Sequence, residues 1–265
     1  MIKLVNVTKT FDGQVVLNGL NLEVPAGKIT AVIGPSGEGK SVLLKHMIGL
    51  MRPDSGEVLV DGDDITRLGR RELNRKREKF GMLFQNAALF DSMTVFENVA
   101  FPLEEKTRLT PAEIRDKVHD ALEHVGLRGV DRKYPDELSG GMKKRVGLAR
   151  AVLLDPEIIL FDEPTTGLDP IICRATHQLI KETHARYGFT AVVVSHEIPE
   201  IFDIADRVAM LYQGEILETG TPGDIQQSAH PVVRQFITGS LDGPIHVLER
   251  APRSKTLDFD ILDNR

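Results

Sequence analysis

Tryptophan is absent from the 265 residues, and cysteine occurs once, as Cys173. A single cysteine excludes a disulfide framework, and the expected state of this thiol is buried and free, as suits a reducing cytosol. No stretch approaches the roughly 20 apolar residues of a membrane span. The start, Met1-Ile2-Lys3-Leu4-Val5-Asn6, lacks the basic region and apolar block of a signal peptide. Any membrane role is therefore expected to run through a partner. A basic balance is missing too: the net charge is −6 and the pI about 5.8, which argues against a nucleic-acid footprint. No internal repeat is visible. With 41% hydrophobic and 27% charged residues, the chain suffices for one well-cored domain or a domain with a subdomain.

What is present centres on Gly34-Pro35-Ser36-Gly37-Glu38-Gly39-Lys40-Ser41, which fits the P-loop (Walker A) pattern G-x-x-x-x-G-K-[ST]. With average glycine and lysine usage, a chain of this length matches by chance on the order of once in a hundred cases. The context also fits. Lys28 to Ile33 reads as a buried β-branched strand, and Lys40 to Ile48 as the following helix. Glycines let successive N–H groups point inward, and the helix N-terminus adds its dipole, so a polyphosphate is held. Lys40 is expected at the β- and γ-phosphates, with the Ser41 hydroxyl on Mg²⁺.

Ahead of this loop, Ile2 to Val7 and Leu17 to Val24 alternate as strands, with Phe11 between them. Phe11 has two open readings, core packing or stacking on an adenine ring. Beyond the P-loop helix, Glu57 to Val60 with Ile65 suggests a small hairpin, and the basic stretch Arg67 to Lys79 a solvated helix face. Phe80 to Phe84 reads as a buried strand ending at Gln85, where α/β sheets bind ligands. Gln85 is thus a candidate contact for Mg²⁺, water or γ-phosphate. Asn86 to Asp155 reads as a mostly helical insertion, with an amphipathic helix over Pro111 to Val125. The apolar cluster from Leu89 to Phe101 is either the insertion's core or a partner's socket.

Leu138-Ser139-Gly140-Gly141-Met142 opens a helix over Lys143 to Leu153 and supplies a second anion cradle. Two subunits placed head to tail would bring one cradle from each chain to each nucleotide. Ile158 to Glu163 is an apolar strand ending in two carboxylates, Asp162 for Mg²⁺ through water and Glu163 to activate water. Gly167-Leu168-Asp169-Pro170 turns into a helix, with Asp169 a candidate cross-subunit contact. The strand Thr190 to Val194 ends at Ser195-His196, and His196 is placed to sense a γ-phosphate. The other seven of the eight histidines read as surface residues. Arg207 to Leu211 and Glu215 to Thr219 read as a closing hairpin, Asp224 to Phe236 as a short helical stretch, and Gly243 to Arg265 as an extended tail.

In order and spacing these motifs resemble the ATP-binding-cassette superfamily over roughly Ile2 to Phe236. The resemblance implies an α/β fold: a RecA-like P-loop NTPase core with an antiparallel β subdomain and an inserted helical subdomain. The cassette would occupy residues 1–238, the helical subdomain about 86–155 and the tail 239–265. ATP and Mg²⁺ are the implied cofactors. Nucleotide contacts carry over to Phe11, now as adenine stacker, to Gly34, Ser36, Gly37, Gly39, Lys40, Ser41 and Val42, and from the opposing protomer to Ser139, Gly140, Gly141 and Asp169. Glu163, His196 and Gln85 carry over as catalytic residues, and Ser41, Gln85 and Asp162 as metal contacts.

The signature departs from the family's usual ending, with Met142 in place of glutamine. Met142 with Lys143-Lys144-Arg145, the segment Gln85 to Val99, and Val233 to Phe236 resemble the ATPases of Mla/Mce lipid transporters. That implies a homodimer on the cytoplasmic face of the inner membrane, bound to two permease subunits and an Mce-type substrate-binding protein, with no nucleic-acid partner. The implied work is ATP-driven phospholipid transport; an ABC importer for small polar solutes such as amino acids shares every catalytic residue and stays as the alternative. A DNA-repair ATPase would usually carry a coiled coil or zinc module between P-loop and signature. A regulatory GTPase would need an Asn-Lys-x-Asp, which the sequence lacks.

Overall fold

A computed structural model describes residues 1–245. The chain runs β1 (Ile2–Phe11), β2 (Gln14–Val24), β3 (Ile29–Ile33), α1 (Lys40–Met47), β4 (Ser55–Val60), β5 (Asp63–Asp64), α2 (Arg70–Arg77) and β6 (Phe80–Leu83). It continues through α3 (Val95–Lys106), α4 (Pro111–His124), α5 (Gly140–Val152), β7 (Ile158–Asp162), α6 (Pro170–Tyr187) and β8 (Thr190–Ser195). β9 (Arg207–Tyr212), β10 (Glu215–Gly220), α7 (Pro222–Gln226) and α8 (Pro231–Thr238) complete it.

The strands form two sheets. A six-stranded sheet has the order β10-β9-β3-β8-β7-β6, and all of its pairings are parallel except β10 with β9. A four-stranded antiparallel sheet has the order β2-β1-β4-β5. Every residue of β3, β7 and β8 is buried, which is why those segments read as unbroken apolar runs rather than alternating ones. Alternation survives in what they touch. Ile159, Phe161, Ala191 and Val193 join the core shared with α3, α4 and α5. Ile158, Leu160, Val192 and Val194 join the core shared with α1 and the antiparallel sheet. One parallel sheet is thus sandwiched between a helical layer and a β layer, the α/β architecture expected for a RecA-like core.

The helical layer, α3 to α5, lies between two adjacent parallel strands, β6 and β7. Threonines start its first two helices: Thr94 caps α3 and Thr110 caps α4, each accepting from the backbone N–H of Glu97 or Glu113 and donating its own N–H to that glutamate's carboxylate. Against the sheet, α5 packs closely, because a Cβ at Gly81 would lie 2.5 Å from the Ala151 carbonyl oxygen and one at Gly147 2.6 Å from Leu83 Cδ1.

Several expectations need correction. The stretch from Asp224 to Phe236 is two helices, α7 and α8, because Pro231 starts a new one. The helix expected from Lys143 begins three residues earlier, at Gly140, with Ser139 as its cap. Not all histidines outside the site are on the surface: His46 is 1% and His177 2% exposed. Both fall on the inward faces of their helices, where burial wins over polarity. The expected tail falls mostly on residues 246–265, outside the described residues. Cys173 is buried and free, as expected.

Neither ring nitrogen of His177 has a hydrogen-bond partner among the described residues. Burial pushes its pKa below the ordinary histidine value, against the opposing pull of Glu197, Glu200 and Asp203. Below pH 6.5 the unfolded chain therefore binds a proton that the folded chain refuses, and stability falls as pH drops towards the depressed folded value. His177→Leu is expected to flatten this loss, by up to about 1.4 kcal/mol per pH unit below the unfolded pKa. Urea unfolding at pH 7.5 and 5.5, compared with the unaltered chain, checks it; an unchanged pH dependence would mean that His177 titrates alike in both states.

Candidate nucleotide and hydrolysis site

The parallel strands end together, and the site is built from the turns that follow them. Ile33 of β3 is level with Ser195 of β8, Asp162 of β7 with Val194, and Leu83 of β6 with Phe161. The P-loop, Gln85, Glu163 and His196 therefore emerge along one edge, where ligands of such sheets bind.

The P-loop wraps tightly because side chains are missing where it approaches other backbone. A Cβ on Gly34 would lie 2.2 Å from the Leu211 carbonyl oxygen, and Gly39, at φ +90°, would set one 2.8 Å from Val16 Cγ1. Gly39 is also the residue ahead of α1, which has no side-chain cap and no acidic residue in its first turn. Its leading N–H groups are left for an anion, unlike those of α3 and α4. Lys40 is 4% exposed. Its ammonium donates to the Gly34 and Pro35 carbonyls, both at 2.8 Å, and lies 3.8 Å from Glu163 Oε1. Burial pushes the Lys40 pKa down, opposed by Glu163, Glu38 and Asp162.

Ser41 Oγ donates to Asp162 Oδ1 at 2.8 Å. Burial raises the Asp162 pKa, while the Ser41 bond pulls it down. This pair of hard oxygen donors suits Mg²⁺, which keeps water and phosphate oxygens for most of its shell. Accordingly, no group of three or more His, Cys, Asp or Glu residues able to hold a metal by themselves occurs among the described residues.

Glu163 sits at φ +46°, a left-handed value rare for a side-chain-bearing residue. Its carboxylate accepts from Gln85 Nε2 at 3.2 Å and Thr166 Oγ1 at 3.0 Å, and lies 3.2 Å from His196 Nδ1. A cleft of about 320 Å³ beside it is lined by Phe11, Gly37, Gly39, Lys40, Ser41 and Val42 among others. Phe11 is 38% exposed and has the Lys9 ammonium 5.4 Å from its ring centroid; Asp54 holds that ammonium at 2.6 Å. Ser36 is exposed on the same loop.

The remaining expected residues stand apart. Ser139, Gly140, Gly141 and Asp169 line a second cavity of about 400 Å³ with Met142, Arg145 and Leu168, and it shares no lining residue with the first. Ser139 Oγ accepts from the Met142 amide at 3.3 Å. Asp169 caps α6, accepting from Ile171 and Ile172 at 3.1 Å.

Two cations at the site escaped sequence reasoning. Lys144, 6% exposed, donates to the Gln85 and Glu163 carbonyl oxygens, and Arg150 donates to the Ala87 carbonyl oxygen at 2.7 Å. A signal existed: Lys144 lies three residues from Gly141 and Gly147 and four from Leu148, so it belongs to the buried stripe of α5.

The ABC transporter family model matches residues 17–166, more than half of the chain. The chain belongs to the ABC transporter ATPases. A solved ATP-binding cassette, dimeric in a post-hydrolysis state with ADP and Pi, is 35% identical, with TM-score 0.78 over 84% of this chain and 99% of that one. The intermembrane phospholipid transport ATP-binding protein MlaF of Haemophilus influenzae is 46% identical over 92% of this chain and 93% of its own length. MlaF of Escherichia coli is 44% identical over 92% and 91%. A probable ribonucleotide transport ATP-binding protein of Mycobacterium leprae is 44% identical over 96% of this chain and 73% of its own length. As a member of this family the chain binds and hydrolyses ATP as a transporter subunit, and no described helix is long and apolar enough to cross a membrane.

Lys40→Met removes the ammonium expected at the phosphates, a charge-assisted donor worth about 1.5–3 kcal/mol. Lys40→Met is therefore expected to weaken ATP binding roughly tenfold to 150-fold. Calorimetric titration checks this, with a melting curve to show that the variant is folded; unchanged affinity would remove Lys40 from the phosphate site.

Proposed function

We propose that this ABC ATPase powers phospholipid movement as a homodimer on the cytoplasmic face of the inner membrane, bound to two permease subunits and an Mce-type substrate-binding protein. The observation that carries this reading is the end-to-end match, at 46% and 44% identity, to two relatives named for phospholipid transport. The relative named for ribonucleotide transport matches over less of its own length, so ribonucleotide is the second cargo to test. The catalytic cassette is assigned to residues 1–238 and the tail to 239–265.

In this reading the α1 N-terminus and Lys40 hold the β- and γ-phosphates, and Phe11, steadied by Lys9, stacks on adenine. Ser41, Asp162 and Gln85 would hold Mg²⁺, whose contribution there would be to neutralise charge developing on the phosphates. Glu163 takes the proton of the attacking water, and His196, engaged at Nδ1 by Glu163, is left with Nε2 for the γ-phosphate. The two cavities share no lining residue, which supports assigning the Ser139–Gly141 cradle and Asp169 to the nucleotide of the partner subunit. Ser139 uses one acceptor lone pair in its cap and keeps its hydroxyl proton to donate. Intact ATP thus holds the dimer shut, and cleavage releases it. The permease feels closure through Gln85 and the exposed Phe84 and Phe90 beside it.

Glu163→Gln is expected to lower the hydrolysis rate about 10²–10⁴-fold with ATP still bound; a single-turnover assay retaining the original rate would assign the proton to another group. Lys40→Ala and Ser139→Ala chains, each inactive alone, should regain part of the activity when mixed, since one site of the mixed dimer is intact. No recovery in verified mixed dimers would refute sharing of the site. For cargo, the complex purified from detergent-solubilised membranes and reconstituted in vesicles should move labelled phospholipid on ATP addition. Movement of ribonucleotide instead would support the second reading.

A further inference from the structure

We propose that Lys144 is a positioning residue for hydrolysis, by which the helix carrying the signature holds the backbone at Gln85 and Glu163. The inference rests on the roles proposed above for those two side chains.

Lys144 stands one turn into α5, three residues after Gly141. Lys144 is only 6% exposed. It donates to two carbonyl oxygens on different elements, that of Gln85 after β6 and that of Glu163 after β7, the latter at 3.3 Å. Those are the two residues whose side chains bond each other at 3.2 Å. The backbone is unusual at one of these points and close to the other. Glu163 has φ +46°, and Ala87 and Ala88, two and three residues after Gln85, have φ +57° and +45°. Such conformations persist only where surrounding contacts fix them. Arg150 donates to Ala87 at 2.7 Å, so α5 grips the Gln85 turn from two of its own turns. Gly81 makes the grip possible, since a Cβ there would collide with the α5 backbone at the Ala151 carbonyl and push α5 off the sheet, and Gly147 leaves room for Leu83.

The consequence is directional. The N-terminus of α5 serves the partner's nucleotide, whereas Lys144 fixes residues that act on this protomer's own. Burial pushes the Lys144 pKa below the ordinary lysine value, opposed by Glu163, Glu197 and Asp162.

The test compares Lys144→Met, which keeps the stem and removes the donor, with Lys144→Arg, which keeps charge and donors, in the full chain within its purified transporter. Lys144→Met is expected to lower kcat about tenfold to a hundredfold, the scale of a misplacement near 1 Å, with the KM for ATP within about twofold. Lys144→Arg should retain most of the rate. If Lys144→Met does not fold, Lys144→Leu, which also lacks a donor, takes its place with the same kcat-against-KM reading. A kcat unchanged in the Met or Leu variant overturns the proposal. So do kcat and KM worsening together, and failure of both variants to fold, since each makes Lys144 a packing residue. Glu163→Gln run alongside separates the two levels: hydrolysis surviving there strikes the proposed function, not this inference alone.

Discussion

A single carboxylate gathers the site. Glu163 is met by Lys40, Gln85, Thr166 and His196, which come from the turns after β3, β6, β7 and β8. Only a parallel sheet delivers four such turns to one edge, because antiparallel neighbours alternate the ends at which they turn. The requirement propagates outward. Parallel strands need crossovers on both faces, so they must be apolar on both sides, as β3, β7 and β8 are. The helical layer on one face and the β layer on the other are what that double burial demands.

How much of this the sequence reveals depends on whether a feature is local. The P-loop is a continuous run whose glycines and lysine act within eight positions, and the apolar runs before Asp162 and His196 mark strands by composition alone. These are legible because their cause lies inside the segment. Lys144 is not, because its cause is the packing distance between α5 and β6, set by Gly81 and Gly147 far apart in the chain. Within Lys143-Lys144-Arg145 it looks like part of a solvated basic run. His46 and His177 are hidden for a similar reason: a histidine carries no mark of which helix face it lies on until the helix's neighbour is known. His46 satisfies one nitrogen on the Val42 carbonyl at 2.7 Å, whereas His177 satisfies neither.

In the proposed reading the signature serves the partner's nucleotide, and Met142, standing where the family usually has glutamine, bears on how that cradle is built. Met142 is partly buried against the main core, and its amide serves Ser139. The cradle itself is made of the Ser139 hydroxyl and the first N–H groups of α5, whose dipole owes nothing to the side chain at position 142. Gly141 has a stricter reason to be glycine, since a Cβ there would sit 2.8 Å from Ile172 Cγ2 and press α5 away from α6. That contact joins the two N-termini lining the second cavity, capped by Ser139 and Asp169. The Ser139 cap thus needs only the backbone N–H of position 142, whereas the α5–α6 contact needs the space kept by Gly141.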